Sequence, residues 1–342
     1  MSLILTKNNI LKKIGCSYFV ISFILSLAVT LLPWWPTNEI LTIPKYALLF
    51  GPRWWLLIIV VGLFTFWRYL KQWQLKTYPI LILLSFNYLD FQLPVTGSLF
   101  SPPVSQKFSI LSANIGSGGS KSELEYISFD KEPDVILLQE ARRLELTKIF
   151  NGYKFKECLS GLCIFSKYPF KQVKTLNRKL FQGWGTFAVF YEIETSFGIV
   201  SLANVHFETP RSVLMGLIYR FFDFTLANTI ESNRRFEAEL VSLWSKNKKY
   251  ALIAGDFNMP QDENIYQRNF AHLNNAIDNK AFGFNATKHT NWHGVRIDHI
   301  LYTDGFTINA VEVLNTGSGD HRPVFATLSA VSVSKQNKTL AN

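Results

Sequence analysis

Short apolar, β-prone runs in the C-terminal two-thirds of this chain end repeatedly on groups that can do chemistry. Phe108 to Ala113 runs into Asn114, and Val135 to Leu138 runs into Gln139 and Glu140. Ile199 to Val205, with Asn204 inside it, runs into His206; Ala251 to Ala254 runs into Gly255, Asp256, Phe257 and Asn258. Arg296 to Tyr302 contains Asp298, and Val324 to Leu328 follows Gly319, Asp320 and His321. A buried strand holds its last residue rigidly while the turn beyond it exposes the polar group, so several such ends at one edge would converge on one pocket. Each residue alone has a structural reading: an asparagine suits a turn, Glu140 a helix N-terminus, a histidine a core. Their recurrence at strand ends is what points to a site.

Carboxylates, neutral amides and imidazoles together suit attack of water on an anionic phosphorus centre. Glu140 is a hard oxygen ligand for magnesium, with manganese as an alternative, and Asn114 and Asn258 can position metal-bound water and phosphate without adding repulsion. A metal held there polarises a phosphoryl oxygen and neutralises developing charge. Asp256 can orient or deprotonate the attacking water. Asp298 can hold an imidazole in one tautomer, leaving its partner as a general base or as a cation on a non-bridging oxygen. His206 is the candidate acid or phosphate contact on the opposite side.

The motifs SANIG, PDVILLQE, NVHFE, GDFN, RIDHI and SGDHRP, in that order, resemble those of the endonuclease/exonuclease/phosphatase superfamily, with its deoxyribonuclease I-like fold. GDFN together with a terminal DHRP is the specific part of the match. The resemblance implies an α/β domain over residues 106–329, a four-layer α/β/β/α sandwich with two sheets face to face and helices outside. It implies Glu140, Asn114 and Asp320 at the metal, and His206, Asp256, Asn258, Asp298 and His321 as the catalytic group, with Asp298 paired to His321. Whether Asp256 or His321 is the base stays open. Arg211 and Asn204 are the candidate substrate contacts, Arg211 for a second phosphate.

Amphipathic stretches at Ser122 to Phe129, Ala141 to Phe150 and Glu231 to Trp244 are the expected outer helices. Between His206 and Asp256 lies an unusual apolar, aromatic run from Val213 to Leu226, read either as a segment that touches a membrane and guides a lipid tail or as an ordinary packed helix. Phe181, Trp184 and Phe187 are candidates for the same rim or for the core. Residues 95–105 read as a Gly/Ser/Pro linker and 330–342 as a polar tail.

The first 94 residues are of a different kind. Three apolar segments, about 14–32, 54–70 and 78–94, are expected to cross a bilayer as helices, so residues 1–94 form a membrane anchor. Asp90 in the third reads as an intramembrane functional group or, more simply, as a headgroup contact. The net charge of +10 is concentrated here: +6 falls on residues 1–96 and +4 on the rest. Anionic headgroups explain that bias better than a nucleic-acid groove does. Lys7, Lys12 and Lys13 precede the first segment and Arg68, Lys71 and Lys76 separate the second and third, while Lys45 and Arg53 lie in the first loop. The positive-inside rule then puts the catalytic part outside, in a multi-pass protein of a bacterial inner membrane. Cys158 and Cys163, in ECLSGLC, are either a hairpin disulfide of an oxidising compartment or two reduced core thiols.

This architecture resembles a membrane-anchored bacterial branch of the superfamily, that of the teicoplanin-resistance protein VanJ. The likeness implies hydrolysis of a lipid pyrophosphate such as undecaprenyl pyrophosphate, with a membrane lipid and the bilayer as partners and no specific nucleic acid. The alternatives are an extracytoplasmic nuclease, a sphingomyelinase-like phosphodiesterase, and a silent membrane-bound binding module.

Overall fold

The computed structural model describes residues 2–36, 38–94, 106–116, 121–142, 149–315 and 319–331. The expected linker, nearly all of the expected tail and most of the Ala141 to Phe150 stretch lie outside these. The helices are α1 (Ser2–Thr30), α2 (Glu39–Phe50), α3 (Trp54–Gly62), α4 (Gln72–Tyr88), α5 (Lys121–Lys131), α6 (Arg211–Ile218), α7 (Phe224–Ser245), α8 (Asn264–Phe270) and α9 (Ala276–Lys280).

Two mixed six-stranded sheets build the C-terminal part. In chain order the strands of the first are β2 (Lys107–Asn114), β3 (Val135–Gln139), β4 (Phe155–Leu159), β5 (Leu162–Ser166), β15 (Phe306–Val313) and β16 (Val324–Ala330), hydrogen-bonded in the order β15-β16-β2-β3-β5-β4. The second contains β6 (Phe170–Asn177), β7 (Thr186–Thr195), β8 (Gly198–His206), β9 (Ala251–Asp256), β10 (Asn274–Asn275) and β14 (Asp298–Tyr302), in the order β10-β14-β9-β8-β7-β6. Two-stranded ribbons pair β1 (Phe91–Gln92) with β11 (Gly283–Phe284), and β12 (Lys288–His289) with β13 (Gly294–Val295). Within the sheets β2 is parallel to β3 and β8 to β9.

Alternation along each strand creates three apolar layers. Phe108, Ile110, Val135 and Leu137 meet Leu202, Leu252, Ala254 and Ile300 between the sheets. The next residues along the same strands, Leu111, Ile136 and Leu138, face outward to Leu124 of α5, while Ala203, Ile253 and Leu301 face Ala238 and Val241 of α7. Strands buried on both faces read as continuous apolar runs, and these are the runs visible in the sequence. The expected α/β sandwich is therefore present, with helices outside both sheets.

The N-terminal third differs from expectation. Among the described residues, only α1 contains a single helical stretch long and apolar enough to cross a membrane, Asn8–Thr30. The second expected span stops as an α-helix at Gly62 and continues as a 3-10 helix from Leu63 to Tyr69. Together with α2 it forms a pair bent by 81°, which counts as at most one broken span. The third is α4, 17 residues that include Gln74 and Lys76, below the ~20 residues that a ~30 Å core requires. These elements form a bundle: Tyr18 donates to the carbonyl of Ile59 at 3.0 Å, and Phe19 meets Trp73 edge-to-face at 5.3 Å. Its perimeter exposes Ile21, Ile24, Ile58, Phe64, Ile80 and Leu83.

Lys45 and Arg53, expected as topological signals, and Asp90, expected as an intramembrane group or a headgroup contact, are instead links to the C-terminal part. Lys45 is 2.5 Å from Glu231, and Tyr46 donates to the same carboxylate at 2.7 Å. Arg53 pairs with Asp262 at 2.8 Å. Asp90 receives two hydrogen bonds of 2.7 Å from Arg296, so each of its oxygens has a partner within the protein. Around these pairs Leu49, Phe50, Val213, Ile230, Val295 and Ile297 share one apolar cluster, so the bundle end and the catalytic part have a common core. Burying such charges is costly unless each keeps its partner. Glu231→Ala strands the Lys45 ammonium and should destabilise the full chain by ~3–5 kcal/mol, read as a lowered urea midpoint in detergent. An unchanged midpoint would show that the pair contributes nothing.

Candidate active site

The parallel and antiparallel pairings explain why distant motifs meet. His206, the last residue of β8, is in register with Asp256, the last of β9, and Asp256 is in register with Asp298 at the start of β14. In the facing sheet Asn114 ends β2 beside Gln139 of β3, with Glu140 next. Glu140 and Asn258 turn away from their strands at positive φ, 55° and 48°, an uncommon conformation for such residues. Gly255 has a different requirement: at φ 145° a Cβ would lie 2.0 Å from the carbonyl oxygen of Val205. Only glycine lets β9 approach β8 closely enough to present Asp256.

One amide joins the two sheets at the site. Asn114 Nδ2 donates to Asp256 Oδ2 at 2.9 Å and lies 3.3 Å from Glu140 Oε1. His206 Nε2 lies 3.6 Å from Glu140 and 3.7 Å from Asp256. On the other side of Asp256, His321 Nε2 is 3.8 Å away, while its Nδ1 lies 3.0 Å from Asp298 Oδ2. Asn258 donates its backbone N–H to Asp256 Oδ1 at 2.8 Å and its side-chain amide to the carbonyl of Phe207.

Burial and charge give these groups distinct protonation states. Burial pushes the His321 imidazole down, but the Asp298 carboxylate outweighs it and raises the ring to about 9 from an ordinary 6.5. Burial alone would raise Asp298; the His321 charge and hydrogen bond hold it below the usual carboxylate value instead. Asp256 is raised, by burial first and then by the like charge of Asp298. His206 is lowered by burial despite its two carboxylate neighbours. Near neutrality His321 is therefore a cation and His206 a neutral ring, a division the sequence left open.

The donor set fits a hard divalent cation. Asp256, Asp298 and His321 place ligand atoms within 4.8 Å of one another. Glu140 keeps 39% of its side chain exposed beside Asp256, which leaves its oxygens accessible. A His321 held by Asp298 as a cation is a poor ligand, so the accessible carboxylate of Glu140 is the one that would hold the ion, which leaves Asp256 free to act on a water.

Around this centre is a cavity of about 620 Å³. Glu140, His206, Asp256, Asn258, His321, Arg211 and Asp320 all line it. Asp320 does so while paired to Lys288, which lowers its carboxyl although burial would raise it. Asn204 is not brought there. It is fully buried one layer below, accepting from Gln139 at 2.8 Å and donating to the carbonyls of Leu138 and Cys163. Its hydrogen bonds are spent on joining the sheets, which corrects the expectation of a substrate contact. Phe187 is likewise a core residue and Phe181 packs against that core, whereas Trp184 is 87% exposed. Cys158 and Cys163 face each other across β4 and β5 and are joined as a disulfide.

Sequence reasoning missed several contributors. Lys288 in the cavity and Arg234, whose guanidinium donates to the Asn258 carbonyl at 2.5 Å, belong to no motif. A lysine inside the apolar run ILTIPKYALLF was the available signal for the third, the docked helix α2.

A double-sheet sandwich with carboxylates, amides and imidazoles at one edge defines a phosphoesterase-type hydrolase fold. The chain belongs to the endonuclease/exonuclease/phosphatase family, a family of phosphoesterases and nucleases, whose sequence model matches residues 111–321. Among solved structures it is similar to D. rerio TDP2 complexed with single strand DNA product, at 15% identity and TM-score 0.50 over 66% of this chain and 100% of that one. It is also similar to an endonuclease/exonuclease/phosphatase from Bacteroides vulgatus, at 16% identity and TM-score 0.50 over 66% of this chain and 100% of that one. At such identities the likeness is one of fold. A comparison with curated proteins finds no match.

The His321–Asp298 pair has a pH signature. A raised histidine contributes stability in full below 6.5 that is lost as pH rises through about 9; a depressed aspartate contributes above 3.8 and loses it as pH falls below that. Asp298→Asn should lower the His321 titration, followed by NMR, by more than about one unit. Its stability deficit should be widest between those two ordinary values and close above about 9. A His321 titration unchanged in the variant would refute the pairing.

Proposed function

We propose that this protein is a membrane-anchored, divalent-metal-dependent phosphoesterase that hydrolyses a lipid pyrophosphate, such as undecaprenyl pyrophosphate, at the outer face of a bacterial inner membrane. The observation that carries this reading is the mixed lining of the cavity. Glu140, His206, Asp256 and His321 line it together with Phe50, Leu214, Leu217, Ile218, Val295 and Ile297. A phosphate carried on an apolar chain uses both kinds of surface, whereas a nucleic acid backbone calls for little of the apolar part. From Ile218 the wall continues into an exposed apolar strip of Tyr219, Phe221 and Phe222, suited to the headgroup boundary.

The chemistry follows from the protonation states. A magnesium or manganese ion held by Glu140 would neutralise phosphoryl charge and the developing charge on the leaving oxygen. Asn114 orients the Glu140 and Asp256 carboxylates through its shared amide. Asp256, raised in pKa, takes a proton from the attacking water, and the His321 imidazolium donates to a non-bridging oxygen. Neutral His206 faces the leaving group, while Arg211 and Lys288 at the cavity wall meet the second phosphate. Asp298 acts through His321 by holding it charged.

The membrane side of the reading survives the loss of two expected spans. Cys16 lies 3.7 Å from Gln74, and a Cβ on Gly15 would lie 3.1 Å from Phe66, so Lys12 and Lys13 share one end of the bundle with Arg68 and Lys71. The catalytic part is bonded to the opposite end through Arg53 and Asp90. With the basic end in the cytoplasm, a single crossing by α1 already puts the catalytic part outside. The Cys158–Cys163 disulfide favours the same side.

Purified protein should release inorganic phosphate from lipid pyrophosphate with magnesium and not with EDTA, and leave sphingomyelin and DNA intact. DNA nicking at comparable rates would refute the lipid reading. Glu140→Ala should lower turnover by on the order of 10³-fold with fold and membrane insertion retained. Persistent hydrolysis would refute the metal assignment. A reporter fused after Asn342 should be active only outside the cytoplasm; cytoplasmic activity alone would overturn the topology.

A further inference from the structure

The apolar half of the cavity is not built by the catalytic domain alone. Ala47, Phe50, Gly51 and Pro52, at the end of α2 and just beyond it, line it together with Leu214, Leu217 and Ile218 of α6, the helix that packs on α2. The family match begins only at residue 111, so the α2 wall comes from the chain's own N-terminal part. Its placement is enforced, not incidental. Lys45 and Tyr46 are tied to Glu231; Tyr46 also accepts from Arg234 at 2.9 Å; and the carbonyl of Phe50 accepts from His293 Nε2 at 2.8 Å when that nitrogen carries the proton. Arg234 lies over the Phe50 ring at 5.7 Å, and Phe50 is only 8% exposed. Ala47 differs: its side chain is exposed, and it lines the cavity. Asn38 caps α2 by accepting from Leu41 N–H at 2.8 Å, so the helix starts at a defined residue and presents these positions in fixed register.

We infer that α2 is the specificity element of this enzyme, with Ala47 and Phe50 reading the apolar chain attached to the phosphate. This rests on the reading above that the site takes a phosphate bearing an apolar chain. The occupant is that chain, because one cavity is lined both by the catalytic groups and by Ala47 and Phe50 of α2, so a phosphate bound at the first has its attached chain within reach of the second. Phosphate chemistry is thus set by the family domain, and chain length is gauged by an element outside it. A small residue at Ala47 leaves width for a long chain; the rigid Phe50 ring bounds it.

The test is Ala47→Trp in the full chain, with Ala47→Leu as a smaller intrusion. Because Ala47 faces open space, both variants should keep the wild-type urea midpoint, and the leucine variant remains informative if the tryptophan variant does not fold. Equilibrium binding of non-hydrolysable alkyl phosphonates, from two-carbon to fifteen-carbon, is measured beside turnover of diphosphates of matching lengths. In the wild type, affinity should rise with chain length. In Ala47→Trp the ratio of long-chain to short-chain affinity should collapse by about tenfold or more, with an intermediate loss for leucine, the deficit in turnover appearing in KM and not in kcat. A wild-type affinity independent of chain length, or variants with an unchanged ratio, overturns the inference even if lipid pyrophosphate is hydrolysed. Chain-length-dependent binding lost in the variants, without turnover of any diphosphate, supports the inference while refuting the proposed reaction.

Discussion

A single guanidinium, Arg234, connects everything that matters in this molecule. It has no exposure to solvent, and it donates to Glu263, to the hydroxyl of Tyr46 and to the carbonyl of Asn258. A buried cation is tolerated only where its donors are matched by acceptors held in place, so each partner is constrained by the others. Tyr46 belongs to the docked N-terminal helix, Glu263 to the cap of α8, and Asn258 to the turn that orients Asp256. Moving the helix would leave a charge without its partners in the middle of the core. The N-terminal part is thereby made a component of the site instead of a tether to it.

The site itself depends on the same logic one layer up. Two sheets that face each other could slide, which would carry the groups at their edges out of alignment and break the interdigitation of their inner side chains. Cross-sheet hydrogen bonds prevent this. Gln139 to Asn204 locks the layers beneath the cavity, and Asn114 to Asp256 locks them at its floor. Amides are well suited to this work because they satisfy buried partners without adding charge beside Glu140, Asp256 and Asp298. The charge that is present is arranged to keep its sign: Asp298 gives up solvation to hold His321 protonated, which would be unfavourable for either residue alone.

These relationships also explain what could be seen in the sequence and what could not. The apolar runs ending at Asn114, Glu140, His206 and Asp256 were legible because strands buried on both faces leave an unbroken apolar record and because the chemistry follows directly after each. Asn204 carries the same kind of record and was misread, since a polar residue inside a strand looks alike whether it meets a substrate or a neighbouring sheet. Lys45, Arg53 and Asp90 were misread for a related reason. Their partners, Glu231, Asp262 and Arg296, lie about two hundred residues away, and a charge next to an apolar segment resembles a headgroup contact until its partner is known. Span lengths failed where hydropathy is blind to helix type: the segment from Leu63 is apolar enough, but it winds as a 3-10 helix after Gly62.

Building the N-terminal bundle into the cavity wall has a consequence for how the proposed enzyme would meet its substrate. A tethered domain gains local concentration but samples many orientations, and each costs entropy before the reactive groups align. Here Arg53 to Asp262 and the two hydrogen bonds between Arg296 and Asp90 remove that freedom in advance, and the apolar cluster from Leu49 to Ile297 excludes water from the joint. The orientation of the cavity relative to α1 is then a property of the fold. On the proposed reading, a chain entering along the α2 wall would bring its phosphate to Glu140 and His321, so that binding energy gained on the apolar part would be available to position the phosphoryl group.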